Sequence, residues 1–98
     1  MDEILLRAEP AVKELLPGFL ENRRRDLERM REALFAGDLA AIRDLGQNIR
    51  CFSRVYGLDE LTELGEAIRS AAEECSTLRI VHLHRRLADY LARVRLEE

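Results

Sequence analysis

The sequence predicts an all-α protein, an antiparallel up-and-down four-helix bundle with a short extra helix at its N-terminus. Three observations predict this fold. First, apolar residues recur at helical spacing through four long segments. Second, these segments are separated by links that contain Gly, Asp or Ser. Third, the links are only two to four residues long, and such short links favour antiparallel neighbouring helices. With 98 residues, 36% charged and only 5% aromatic, the composition is that of a soluble helical domain. We therefore expect residues 1–98 to form a single domain.

The first two elements are predicted from their apolar spacing and their prolines. Residues 2–15 are expected to form the short N-terminal helix, with Pro10 near a break or a first turn because proline lacks a backbone N–H. Pro17 suits the first turn of the second helix, which is expected to run to about Phe35. The apolar positions expected in the core from these two elements are Ile4, Leu5, Ala8, Val12, Leu15, Leu20, Leu27, Met30 and Leu34.

The second helix carries a basic run, Asn22-Arg23-Arg24-Arg25. Arg24 and Glu28 are spaced i,i+4, and so are Glu21 and Arg25, a spacing that favours ion pairs along a helix. The net charge is −3 with the two signs interleaved, which is not the pattern of a polyanion-binding protein. We therefore expect a solvated, salt-bridged face here and no nucleic-acid partner.

The third helix is expected to run from about Leu39 to Tyr56. Gly37 is suited to end the second helix in the left-handed conformation, and Asp38 to cap the third by accepting an early backbone N–H. Gly57 ends the third helix for the same reason as Gly37.

The last two helices follow the same logic. Asp59 is expected to cap a fourth helix that runs to about Glu74, with Gly65 beside its apolar stripe where another helix approaches closely. Ser76 is expected to cap a final helix that fades near Leu96. The predicted core positions of these helices are Leu61, Leu64, Ile68, Ala71, Cys75, Ile80, Leu83, Leu87, Tyr90, Leu91 and Val94.

The third helix has two distinct faces. At 100° per residue, its apolar stripe comprises Ile42, Leu45, Gly46, Ile49, Phe52, Ser53 and Tyr56. The opposite face comprises Arg43, Gln47, Arg50, Cys51 and Arg54, which we call the α3 strip. Three arginines within about three turns make this strip basic on a chain of net negative charge. The strip is the candidate partner-binding surface.

The segment from Gln47 to Gly57 resembles the signature of histidine-phosphotransfer (HPt) domains of bacterial phosphorelays. In that signature an exposed helical His is followed by an apolar residue at the second position, Lys at the third, a small residue at the fourth and Gly at the tenth. Ile49, Arg50 and Gly57 fit this pattern. Gln47 stands in place of the phosphoacceptor His, and Cys51 in place of the small residue.

The resemblance implies a two-component signalling protein that has lost its acceptor chemistry. The nitrogen lone pair of the Gln47 amide is delocalised into its carbonyl, so it cannot accept a phosphoryl group as an imidazole does. The equivalent HPt face docks the acidic active site of a response-regulator receiver domain, and Arg50 keeps the positive charge of the family Lys. We expect a pseudo-HPt that inhibits or scaffolds by binding a receiver domain or a histidine kinase.

Two alternatives follow from other residues. The first is an active phosphotransfer protein that uses His84 or His82, both on the last helix, with His82 opposite the core stripe and His84 at its edge. The second is a helical adaptor or self-associating bundle unrelated to phosphorelay. A monomer or weak dimer is expected.

Other classes of function lack their motifs. No Gly-rich phosphate loop, zinc-site spacing or Ser/His/Asp arrangement is found in the sequence, so we expect no enzyme, no metal and no cofactor. No apolar run is long enough to span a membrane, and the acidic N-terminus lacks a signal-peptide pattern. We therefore expect a cytoplasmic protein in which Cys51 and Cys75 are free thiols.

Overall fold

The structure is a computed structural model that describes residues 3–6 and 10–96. Its helices and strands confirm an essentially all-α protein, with one short strand pair in addition. The described elements are β1 (Ile4–Leu6), α1 (Pro10–Lys13), α2 (Leu16–Ala36), α3 (Leu39–Val55), α4 (Asp59–Glu73), α5 (Thr77–Arg93) and β2 (Val94–Leu96).

The two ends of the described chain differ from the sequence prediction. A helix was expected over residues 2–15, and this prediction is wrong for residues 4–6, which form β1. Only Pro10–Lys13 is helical before α2. Residues 2 and 7–9 lie outside the described residues. The final helix ends at Arg93 and not near residue 96, because Val94 turns extended and begins β2. The strands pair in parallel, with Ile4 opposite Val94. Each strand thus supplies backbone partners that the other needs.

Most of the predicted helix ends are confirmed. Gly37 and Gly57 adopt left-handed φ angles of 69° and 72°. Asp38 accepts the backbone N–H of Ala41 at 3.0 Å, and Ser76 likewise caps α5. The prediction for α4 is wrong: its N-cap is Leu58 and not Asp59, which lies in the first turn.

The core contains most of the predicted apolar positions. Six of the predicted positions are only half-buried, namely Ile4, Val12, Leu27, Leu34, Leu45 and Tyr56. Four more are exposed and the prediction is wrong for them, namely Leu5, Leu15, Phe52 and Cys75. Ala8 lies outside the described residues. Cys75 leaves the predicted stripe because it lies beyond the end of α4, in a left-handed conformation with φ 56°. The largest fully buried side chains are Leu16, Met30, Ile42, Ile49, Leu61, Ile68, Ile80, Leu87, Leu91, Val94 and Ser53.

Helices α3 and α4 make the most extensive contact in the described chain. Their backbones approach closely at two glycines, since a Cβ on Gly46 would lie 2.6 Å from the backbone nitrogen of Arg69. A Cβ on Gly65 would lie 2.5 Å from the backbone nitrogen of Arg50. The expectation that another helix approaches Gly65 is therefore confirmed, and the close approach fixes α4 against the α3 strip.

The basic run of α2 is not the uniformly solvated face that the sequence predicts. Arg23 is buried, with only 8% of its surface exposed. Arg24 pairs with Glu21 at 3.6 Å and not with Glu28, and Arg25 makes no ion pair among the described residues. Arg23 turns inward because it packs on the ring of Phe19 and beside a buried carboxylate.

Candidate functional site

The α3 strip lies along one side of α3, and its members differ in exposure. Arg43, Cys51 and Arg54 are exposed, whereas Gln47 and Arg50 are half-buried. Arg43 lies 3.3 Å from the carboxylate of the adjacent Asp44. Arg54 has no ion pair within the described part of the chain. The five residues therefore share one side of α3, as the helical spacing predicts, but the three arginines are not equally available to a partner.

Three residues of the strip form a local hydrogen-bonded group. Nη1 of Arg50 donates to Oε1 of Gln47 at 3.4 Å. Nε2 of Gln47 donates to Sγ of Cys51 at 3.5 Å. Their spacings of three and four residues place these side chains together on one helix face. The amide of Gln47 is thus held between a guanidinium and a thiol at the centre of the strip.

Helix α4 adds three charged residues that sequence reasoning missed. Nε of Arg50 lies 3.4 Å from Oε2 of Glu66, which also accepts from Nε of Arg69 at 3.0 Å. Nη1 of Arg69 lies 2.7 Å from Oε1 of Glu73. The signal for this group was present in the sequence as Glu66, Arg69 and Glu73 at i, i+3 and i+7 on α4, a spacing that favours ion pairs.

The strip and the α4 charges border a shallow depression between the two helices. The residues that line it are Arg43, Asp44, Gln47, Arg50, Arg69 and Glu73. Its arginines are each within reach of a carboxylate, so the depression carries charges of both signs. The expected excess of positive charge on this face is therefore reduced by Asp44, Glu66 and Glu73, and it persists mainly at Arg54.

The ion pairs also shift the ionisation of the α4 residues. The hydrogen bonds from Arg69 hold the pKa of the Glu66 carboxyl below its usual value. Partial burial opposes this shift, and the charges of Arg69 and Arg50 add to it. Hydrogen bonds to Glu66 and then to Glu73 raise the pKa of Arg69. Glu66 is thus the shared carboxylate that links α3 to α4.

The two histidines lie on α5, away from the strip. Nε2 of His84 lies 3.0 Å from the backbone carbonyl oxygen of Leu27. Because a carbonyl only accepts, this nitrogen must carry the proton and donate. His82 is exposed, as the sequence predicts, and lies in a depression that it shares with residues of α4 and α5, among them Arg85, Arg86 and Asp89.

Neither a metal centre nor a membrane helix is found in the described part of the chain. Residues 3–6 and 10–96 contain no group of three or more His, Cys, Asp or Glu side chains that could hold a metal ion. Within the same ranges, no helix combines the length and the apolar character needed to cross a membrane.

Comparison of the chain with models of protein families, with curated proteins and with solved structures found no match.

Proposed function

We propose that this chain is a pseudo-HPt protein of two-component phosphorelay signalling. In this proposal its four long helices form the antiparallel up-and-down bundle of an HPt domain, and α3 presents the docking face. The protein binds a response-regulator receiver domain or a sensor histidine kinase, and it carries no phosphoryl group at Gln47. It acts as an inhibitor or a scaffold of a relay.

The observation that carries this proposal is the placement of Gln47. It lies at the centre of the α3 strip, with Arg50 one turn later within hydrogen-bond distance and with Gly57 ending the helix ten residues on in a left-handed conformation. In an HPt domain the acceptor imidazole stands at this place. An amide in the same place preserves the polar surface, but its nitrogen has no available lone pair for attack on phosphorus.

Docking in this proposal depends on the exchange of one carboxylate for another. Arg50 and Arg54 face an acidic receiver surface, and a guanidinium can bind a carboxylate through two parallel hydrogen bonds. Arg50 first gives up its 3.4 Å contact with Glu66, a contact between half-exposed groups that contributes little stability. Arg54 needs no such exchange, since it makes no ion pair among the described residues. We therefore expect Arg54 to contribute more to docking than Arg43, which is paired with Asp44.

The experiment is phosphoryl transfer from a panel of phosphorylated receiver domains to the wild type and to Gln47→His, with binding measured alongside by calorimetry. In Gln47→His the imidazole nitrogen attacks phosphorus, the bond from phosphorus to the receiver aspartate oxygen breaks, and a P–N bond forms. The matched control is Asn48→His, which places an imidazole one residue further along α3 at an exposed position outside the strip. All proteins should also be tested with His82 and His84 replaced by Ala.

The proposal predicts that wild type and Gln47→His bind the same receiver, and that only Gln47→His becomes phosphorylated. Replacing Arg54 by Ala should weaken that binding. Binding is also measured with sensor histidine kinases. If neither protein binds any receiver domain or kinase, or if Asn48→His accepts phosphate as well as Gln47→His does, the proposal is wrong.

His82 supports a second candidate, an active phosphotransfer protein. Its imidazole is exposed beside Arg85 and Arg86, whereas Nε2 of His84 is occupied by the carbonyl of Leu27. Of the two histidines, His82 is thus the better acceptor. Acid-labile phosphate on the wild type that disappears in His82→Ala and persists in His84→Ala would establish this function in place of the first.

A further inference from the structure

A groove with aromatic walls lies between the beginning of α2 and the end of α3. The residues that line it are Leu15, Gly18, Phe19, Asn22, Arg23, Phe52 and Tyr56. The rings of Phe19 and Tyr56 pack with their centroids 4.7 Å apart and their planes at 51°. Leu15 and Phe52 are 58% and 52% exposed. The groove therefore offers apolar surface to a ligand.

One charged side chain, Arg23, contributes to this groove, and it is more than nine-tenths buried. Its guanidinium carbon lies 4.9 Å from the ring centre of Phe19 and 5.8 Å from that of Phe52. A guanidinium over an aromatic face is stabilised by the ring quadrupole, but that contact satisfies none of its N–H donors. The guanidinium of Arg23 thus packs against the rings of Phe19 and Phe52 and also lines the groove.

The hydrogen bonds of Arg23 are incomplete within the described part of the chain. Its Nε lies 2.9 Å from Oδ2 of the buried Asp26, yet the N–H is not aligned for a hydrogen bond, and Nη1 is also buried without an acceptor. Nη2 has no protein acceptor among the described residues and retains contact with solvent. A buried donor without an acceptor is costly, so an acceptor supplied from the groove is favourable.

The local charge favours an anionic acceptor. Asp26 is shared, because its Oδ1 also accepts from Nη1 of Arg29 at 2.9 Å. Two guanidinium groups therefore face a single carboxylate, and this cluster has a net positive charge. A carboxylate is the anion whose planar geometry matches a guanidinium, and the walls formed by Phe19, Phe52 and Tyr56 suit an apolar body attached to it.

We propose that this groove is a binding site for a small organic acid with an aromatic or branched apolar body. One carboxylate oxygen accepts a hydrogen bond from Nη2 of Arg23, and the apolar body packs between Leu15 and Phe52. Phe52 lies about 140° around α3 from Gln47 at 100° per residue. The site is therefore separate from the centre of the α3 strip and does not depend on the function proposed for the strip.

The test uses 3-phenylpropanoate and its neutral isostere 3-phenylpropanamide, titrated into the full chain and followed by two-dimensional ¹H–¹⁵N NMR. We expect the acid to bind with a dissociation constant on the order of millimolar, as befits so small a ligand. It should shift the amides of Gly18, Phe19 and Asn22 and the side-chain Nε–H of Arg23. The amide should bind at least about tenfold more weakly, because it forms no charge-assisted hydrogen bond.

Variants at the rim test the site without disturbing the buried cluster. Leu15→Gln removes an apolar contact and should weaken binding of the acid somewhat. Leu15→Glu removes the same contact and adds a charge of the same sign as the ligand, so it should bind the acid about fivefold more weakly than Leu15→Gln does. Leu78→Glu is the matched control, because Leu78 is 86% exposed and lies outside the groove.

The double variant Arg23→Gln, Asp26→Asn tests the buried cluster itself. It removes the guanidinium without leaving an unpaired carboxylate, and it should abolish binding. The NMR spectrum reports whether the fold is kept.

Three outcomes would overturn the proposal. They are equal affinity for the acid and the amide, shifts that lie outside the groove, and equal binding by Leu15→Glu and Leu78→Glu.

Discussion

Gly46 and Gly65 face each other where α3 crosses α4, and the backbone at each glycine leaves no space for a side chain at the other. A Cβ on Gly46 would lie 2.8 Å from the carbonyl oxygen of Gly65, and a Cβ on Gly65 would lie 2.8 Å from the carbonyl oxygen of Gly46. These contacts are with backbone atoms, which cannot rotate away. The two glycines therefore determine how closely the helix that carries the α3 strip approaches the helix that carries Glu66.

Replacing either glycine by Ala should destabilise the protein even though Ala is the better helix former. Overpacking typically costs about 1–3 kcal/mol, and a clash with backbone atoms falls towards the upper end because they cannot move aside. That cost exceeds the gain of about 1 kcal/mol in helix propensity. The measurement is the free energy of unfolding from urea titration. The control is Gly18→Ala in α2, where the added Cβ would meet nothing within 4 Å apart from its chain neighbours and the nearby backbone of its own helix and where stability should be unchanged or raised. Equal stability of Gly46→Ala and Gly18→Ala would contradict the close crossing.

Glu66 should make stability depend on pH in the acid range. Arg69 lowers the pKa of Glu66 below its usual value of 4.5, so the folded state binds the proton more weakly than the unfolded state does. The stability that ionised Glu66 contributes is fully present at pH values above its usual pKa, and it is lost as the pH falls through the lowered pKa of the folded state. In Glu66→Gln the loss of stability with acid should be smaller than in the wild type. The measurement is the urea midpoint at a series of pH values.

The control for this prediction is Glu63→Gln. Glu63 lies on the same helix, is exposed, and makes no ion pair among the described residues. Its variant should keep the acid dependence of the wild type. If both variants lose stability with acid to the same extent, the cluster around Glu66 does not contribute as described.

Tyr90 should titrate at unusually high pH. Burial, with a smaller effect of the charge of Glu60, raises the pKa of Tyr90 from 10.0 to about 12. A group whose pKa is raised on folding stabilises the protein below its unfolded pKa, and that stability is lost as pH rises between about 10 and 12. Tyr56→Phe leaves Tyr90 as the single tyrosine of the chain, so the absorbance of tyrosinate near 295 nm then reports Tyr90 alone.

The comparison variant is Tyr90→Phe, which should lose part of the decline in stability above pH 10. A Tyr90 absorbance midpoint at the ordinary value of 10.0 while the protein is still folded would contradict its burial.

Local patterns in the sequence predicted the four long helices and most of their ends correctly. Asp38 and Ser76 cap helices because a side-chain acceptor lies three residues before a free N–H, and Gly37 and Gly57 end helices by their left-handed φ angles. Each of these features involves neighbours in the chain. The phase of the apolar stripe placed Gln47 and Arg50 together on the polar face of α3, which the structure also does.

Apart from the ion pairs within α4, the features that were missed depend on residues far apart in the chain. Residues 4–6 form a strand because their partners are residues 94–96. Arg23 contacts Phe52 of another helix in addition to Phe19 of its own, and Arg50 is paired because α4 brings Glu66 to it. The pattern of apolar and polar residues within one helix or strand cannot predict contacts between different segments.

The pairing of β1 with β2 has a kinetic consequence. The two strands come from opposite ends of the described chain. If the helices had not yet formed, the chain would have to close a very long loop before the strands could pair. Closing such a loop has an entropic cost that contacts between residues close in sequence avoid. We expect the helices to assemble first and to bring the two segments within reach. The strand pair would then be absent from the transition state, and weakening it would speed unfolding while leaving the folding rate unchanged.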